Sequence, residues 1–395
     1  FVVAELAPKL GGMLLFPEER YYGTSLPFGE SYLKAENLHF LTTAQVLEDF
    51  VDIVAHVKST YPSAANCPVV AFGGSYGGTL TALLRATHPA TIVGGLAASS
   101  ELGYYDIAGW AKHGVDAFSF EDVVLTTWQN ARPGCLDAVK SALRAIDEAN
   151  ESYVTEVFPV CDAKALGPGP KSTFFAYVLE GMPQGDYPSE GFPVTKACDM
   201  LLKAQNSGLE VQTQLVDAAA HIAKAFYNSP SCIPYDIGGP GNTPGDGPSM
   251  SSWGYQSCTE TLHAFSARVL RNYTFDRLKS ARQCEELYNR TVKPDLGALA
   301  EEFGGAYALA EGTAGVSHLI WSHGTLDPWH GWFKNIATPP PHLEIYHILM
   351  EGSAHHTDLR LASPNDPAAV VRARAAEEKI IRKWIVEASS IDVVV

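Results

Sequence analysis

The sequence has seven cysteines but no CxxC pair, no Lys/Arg cluster, no apolar run long enough to span a bilayer, and no repeat or low-complexity tract. Each absence excludes something. Cysteines without close pairing lack the spacing of zinc sites and dithiol redox motifs, so neither a metal nor a cofactor is expected. Without a stretch of about 20 apolar residues, no membrane insertion is expected. Positive charge is scarce: 28 Lys and Arg stand against 44 Asp and Glu, a net charge of −16. That balance argues against nucleic acid or an anionic membrane surface as partner. What is present is ordinary for a globular protein: 395 residues, 46% apolar and 18% charged. Such a chain buries a large core and is long for one domain.

Wide cysteine spacing suits disulfides instead. Six of the seven, Cys135, Cys161, Cys198, Cys232, Cys258 and Cys284, fall in one central stretch, and Cys67 stands apart. Three glycosylation sequons, at Asn150, Asn272 and Asn289, agree with a secretory-pathway protein, lysosomal, vesicular or secreted. The chain begins at Phe1 with no initiator Met, and "FVVAELAPKLGG" already reads as a helix running into a Gly stop. The start is therefore expected to be processed or truncated.

Along the chain, "MLLF" (Met13 to Phe16) has the character of a buried strand. In "TTAQVLEDFVDIVAHV" Thr42 and Gln45 form a capping box ahead of an apolar face at helical spacing. "CPVVAF" reads as a strand, "TLTALLRATHP" as a helix stopped near Pro89, and "IVGGLAAS" as a further strand. Strand, helix, strand at this spacing predicts a parallel α/β sheet. From about Tyr104 to about Gly315 the pattern is mainly helical with Gly/Pro breaks, which predicts an inserted domain over 104–315. The α/β texture returns with "SHLIW" and "LEIYHILM", and a last helix starts after Asp366-Pro367. The α/β domain would then comprise 1–103 and 316–395.

"VVAFGGSYGGTL" places Ser75 between a strand and a helix, with glycines at 73, 77 and 78. This is the setting of a nucleophile elbow, where neighbours without side chains let a serine occupy a tight turn. The Tyr76 N–H, at the helix start, is the natural first oxyanion donor. A serine nucleophile needs a base and the base an orienting carboxylate, in chain order Ser, acid, His. "LDPW" puts Asp327 just past a strand, and "EGSAHHTDLR" puts His355 and His356 just past the next. Both follow strand ends, on the edge where α/β sheets place their chemistry.

"GGSYGG", "EERYYGTSLPFG", "LDPW" and "EGSAHHTDLR", with "PVTKACDMLL" and "WGYQSCTE", resemble the prolyl-specific serine exopeptidases over nearly the whole chain. That family comprises lysosomal Pro-Xaa carboxypeptidase and dipeptidyl peptidase II. "FVVAELA", "AFGGSYGG" and "YNSPSCIPYDI" look closer to the second. The resemblance implies an α/β-hydrolase fold with a helical cap. It implies cleavage, at acidic pH, of peptides carrying proline or alanine near a terminus. It assigns Ser75 as nucleophile, Asp327 as acid, His355 as base, His356 as structural and Trp329 as a pocket aromatic. Arg360 matches the family's His-to-Arg spacing and would lower the pKa of His355; the plainer reading pairs it with Asp358. The implied bridges are Cys135–Cys198, Cys161–Cys232 and Cys258–Cys284.

There are four departures from the family pattern. Thr79 replaces a methionine expected near the pocket, and "DPWHGWF" replaces a Gly-rich run, so that His330 and Trp332 would reshape the rim. The glycine-rich loop after Cys232 lacks a cysteine pair, and the family's first strands and Gly-Asn-Glu-Gly loop precede the point where this chain begins.

Release of N-terminal dipeptides is the expected activity, with C-terminal trimming after proline as the alternative. A dipeptidyl peptidase must meet an ammonium, for which Asp236 and Asp246 are candidates; a carboxypeptidase must meet a carboxylate, and Arg20 and Arg360 are the nearby cations. Another esterase on the same fold, or an inactive binding relative, are further readings. Besides peptide substrates, a second copy of the chain in a homodimer is the one further partner considered.

Overall fold

A computed structural model describes residues 1–161, 170–228, 232–233, 251–288 and 297–391. Four strands form one parallel sheet among them: β1 (Val69–Gly74), β2 (Ile92–Ala98), β3 (Leu319–Gly324) and β4 (Ile345–Met350), in spatial order β1-β2-β3-β4. Their near-continuous apolar runs suit strands covered on both faces. β3 is buried at every position, whereas β1, at the edge, is half-buried throughout. Parallel pairing brings Gly74 opposite Ala98 and Gly324 opposite Met350, so all four carboxyl ends share one sheet edge.

The helices follow their sequence signals. Thr42 caps Thr43–Thr60 by accepting the Gln45 N–H at 3.3 Å. The crossover helix Tyr76–Thr87 ends before His88-Pro89, and the first helical turns stop at Gly11 in the left-handed region. The last helix, Ala368–Ile391, begins right after Pro367. It is anchored by buried Trp384, whose Nε1–H donates to Glu344 at 3.1 Å.

The strand expected over "MLLF" is absent. Met13, Leu14, Leu15 and Phe16 lie outside regular structure and are 39–74% exposed. An apolar run becomes a strand only beside a partner that satisfies its N–H and C=O groups, and among the described residues β1 pairs only with β2.

Two large cores organise the described residues. One joins the sheet to its covering elements and includes Tyr104, Trp110, Tyr255, Cys258, Tyr288 and Tyr307 from the predicted insert. The other is mainly helical and lies within 124–270, built mostly from Ser119–Ala131, Cys135–Glu148, Thr173–Gly181, Pro193–Gln205 and Val211–Phe226. The ends of the 104–315 stretch therefore pack with the sheet, and its middle packs on itself. Cys135–Cys198, Cys161–Cys232 and Cys258–Cys284 are bonded as the family pattern implies, and Cys67 is free and exposed.

Candidate active site

Ser75 stands between β1 and the crossover helix at φ 60°, ψ −128°. Side chains rarely tolerate this backbone, and it is held from several directions. The Ser75 N–H donates to the Ala98 carbonyl at 3.0 Å, and its own carbonyl accepts the Thr79 N–H at 3.1 Å. A Cβ at Gly73 would fall 1.9 Å from the Gly77 carbonyl oxygen, and one at Gly78 would fall 2.6 Å from that of Ala98. Gly77 itself faces open space, so the turn requires only two of the three glycines expected. The Tyr76 N–H lies in the first helical turn, where backbone donors have no partner within the helix. Its side chain is partly buried, with the hydroxyl accepting from Gln256 Nε2 at 3.0 Å.

Asp327 and His355 meet across the strand ends of β3 and β4. His355 Nδ1 donates to Asp327 Oδ2 at 2.8 Å, and the Trp329 N–H donates to Oδ1 at 3.1 Å. Asp327 is fully buried. Burial alone would raise its pKa, but the adjacent imidazole, the Ser99 hydroxyl and the Trp329 N–H together hold it below the usual carboxylate value. Ser99 also ties the sites together: it follows β2, donates its N–H to Ser322 at 2.7 Å, and accepts the His356 N–H on Oγ at 2.8 Å. The His356 ring lies where a Cβ on Gly74 would approach it to 2.9 Å. The histidine loop is thus seated against the serine turn. Burial, then the neighbouring His355, lower the His356 pKa to about 4, so it is a neutral packing group.

The helical segment Met182–Gly185 and the residues after it reach this loop. The His355 N–H donates to the Gln184 carbonyl at 3.2 Å, and the Tyr187 hydroxyl donates to the His355 carbonyl at 3.0 Å. Trp329 Nε1–H donates to Gln184 Oε1 at 2.9 Å. Sequence reasoning passed over Gln184, Tyr187 and Ser99, because each acts across a long sequence separation and none sits in a local motif. Trp329 stands 6.3 Å from His355, ring to ring, in a cluster with Tyr104, Phe120, His263 and Phe265.

Other expected site residues lie elsewhere. Thr79 is fully buried with Oγ1 3.0 Å from Ser100 Oγ, so it braces the turn from beneath and lines no surface. Trp332, expected at the rim, is fully buried and donates to the Ser100 carbonyl at 2.7 Å; an indole this large packs inward once its N–H has a partner. His330 turns Nδ1 to the Asp327 carbonyl at 2.7 Å. Arg360 does not pair with Asp358. Its guanidinium lies 3.7 Å over the Tyr187 ring and 3.6 Å from Glu190, while Asp358 is buried against Ser322. Arg20 is committed to Asp49 through two 2.6 Å bonds. Asn150 and Asn272 are exposed. Asp236, Asp246 and Asn289 lie outside the described residues.

Known proteins show the same arrangement of sequence. The profile of the family described as Serine carboxypeptidase S28 matches residues 2–377. The chain is 28% identical to Lysosomal Pro-X carboxypeptidase of Mus musculus, over 97% of this chain and 77% of that protein. It is 27% identical to the Homo sapiens protein of that name, over 96% and 76%. It is 29% identical to Prolyl carboxy peptidase like protein 5 of Caenorhabditis elegans, over 97% and 79%. With a serine turn, a buried aspartate and a histidine loop on one edge of a parallel sheet, and a profile match that runs through all of them, the chain belongs to the serine carboxypeptidase S28 family.

Proposed function

We propose that this chain is a serine exopeptidase that hydrolyses the bond after a proline near the carboxyl terminus of a peptide, releasing the last residue. Ser75 attacks the scissile carbonyl. His355 takes its proton and returns it to the leaving amine. Asp327 keeps the imidazole in the tautomer that presents Nε2 to the serine and stabilises the imidazolium. The Tyr76 N–H donates to the oxyanion. The observation that carries this reading is the buried 2.8 Å bond between Asp327 and His355, in a loop seated against the strained Ser75 turn.

The aromatic cluster around Trp329 supports proline as the preceding residue, since a pyrrolidine ring packs well on aromatic faces. The direction of trimming rests on the relatives named Lysosomal Pro-X carboxypeptidase, which favour the carboxyl end over the N-terminal dipeptide release expected from the sequence. The same relatives, three disulfides and exposed Asn150 and Asn272 support a lysosomal or secreted setting and sugar attachment at those asparagines. Mass spectrometry of digested proline-containing peptides tests the reading. Loss of one C-terminal residue after proline is the expected product; N-terminal dipeptides would return the assignment to the dipeptidyl branch.

A further inference from the structure

Beside the Asp327–His355 pair lies a second carboxylate–imidazole pair that the reaction above does not use. Glu101 follows Ser99 and Ser100 at the end of β2 and is 2% exposed. Its Oε2 lies 3.3 Å from His263 Nε2, and no Lys or Arg stands within ion-pair distance of it among the described residues. Its Oε1 makes no hydrogen bond. The Tyr105 hydroxyl lies beside Glu101 and the Thr261 hydroxyl beside that of Tyr105, both buried and neither in a well-aligned bond. Desolvating a carboxylate is costly unless well-placed donors and opposite charge replace the lost water, and no full-strength bond reaches Oε1 here.

The imidazole of the pair packs toward the candidate active site. The partly exposed His263 ring packs 4.9 Å from Tyr105, 4.9 Å from Phe265 and 5.0 Å from Trp329, the indole that also faces His355. Glu101 is thus two rings, His263 and Trp329, removed from His355.

We propose that Glu101, with His263, Tyr105 and Thr261, forms a substrate subsite that takes a cationic group on the acyl side of the scissile bond. The inference rests on the peptidase reading above. A cation fits each feature: it supplies the charge-assisted bond that Oε1 does not make, the neighbouring aromatic rings attract positive charge, and the net charge of −16 draws cations toward the surface. An ammonium or guanidinium can come from a Lys or Arg side chain or from the peptide's own amino terminus.

A substrate panel separates these sources. One arm pairs N-acetylated peptides with lysine or norleucine at the two positions before the scissile bond; the other pairs free-amine with N-acetylated peptides lacking basic residues. A preference for the charged member in the first arm assigns the side chain, and in the second the α-amino group. Either preference should fall about 30-fold or more in Glu101→Gln, the loss expected when a buried charge pair loses one partner. Equal turnover of charged and neutral members in the native protein overturns the proposal, as does an equal loss on both in Glu101→Gln. His263→Gln serves as the second variant and should reduce the same preference. Saturation-transfer NMR with n-butylammonium reads the subsite without turnover. Binding lost in Glu101→Gln supports the subsite even if no peptide is cut, and absence of binding to the native protein counts against it.

Discussion

Arg360 shows how far a single side chain's role depends on its contacts. Sequence spacing placed a cation beside His355, where it would resist protonation of the base. The guanidinium covers the Tyr187 ring, with Glu190 3.6 Å away, and the Tyr187 hydroxyl holds the His355 carbonyl. These contacts predict that Arg360 acts as a positioning residue through Tyr187. Arg360→Met and Tyr187→Phe should each lower kcat several-fold, and the double variant should do little more than either, because they disturb one contact chain. The acid limb of the rate profile should stay in place. A shift of that limb to higher pH in Arg360→Met would restore the direct electrostatic role. Asp327→Asn should lose on the order of 10⁴ in rate by presenting the wrong imidazole tautomer. Retention of most activity would remove Asp327 from the mechanism. Ser75, Asp327 and His355 were legible because each sits in a short motif at a strand end. Glu101, His263, Gln184 and Tyr187 were not, since their meaning comes from neighbours far along the chain.

Elements were legible where a local signal dictates them. The Thr42 cap, the stop at Pro89 and the start after Pro367 need only adjacent residues, and each falls where the sequence puts it. "MLLF" needs a partner strand, which no local pattern can supply. The helical insert divides the same way: its texture reads as one block, but packing assigns Tyr104 and Tyr255 to the sheet's core and Cys135–Phe226 to a separate one. Two bridges, closing separations of 63 and 71 residues, staple that second core. In the chain-entropy account each contributes roughly 4 kcal/mol. Reductant should therefore accelerate amide exchange first in Cys135–Glu148, Pro193–Gln205 and Val211–Phe226, before β1 to β4. Simultaneous loosening of the sheet would show that the two cores unfold as one.

For the molecule as a whole, buried titratable groups set how stability follows pH. Burial, reinforced by Glu260 and opposed by the 2.8 Å bond from Gln256, raises Glu19 from 4.5 to about 7. The folded chain then holds that proton more tightly than the unfolded chain. Its contribution is full below pH 4.5 and is lost as pH rises through about 7. His356 and His323, lowered mainly by burial to about 4 and about 3, act in the opposite sense: their contribution is full above pH 6.5 and is lost as pH falls through those values. Glu19→Gln removes only the first term. Relative to the native protein it should gain roughly 2–3 kcal/mol between pH 4.5 and 8, read by urea unfolding across that range. A difference that does not change with pH would contradict the buried-acid account. The central claim, that Ser75 is a nucleophile activated by His355, has a more direct test in fluorophosphonate labelling with the adduct mapped by mass spectrometry. A single adduct on Ser75, abolished in His355→Ala while the fold persists, is the predicted result; no adduct, or an adduct elsewhere, would contradict it.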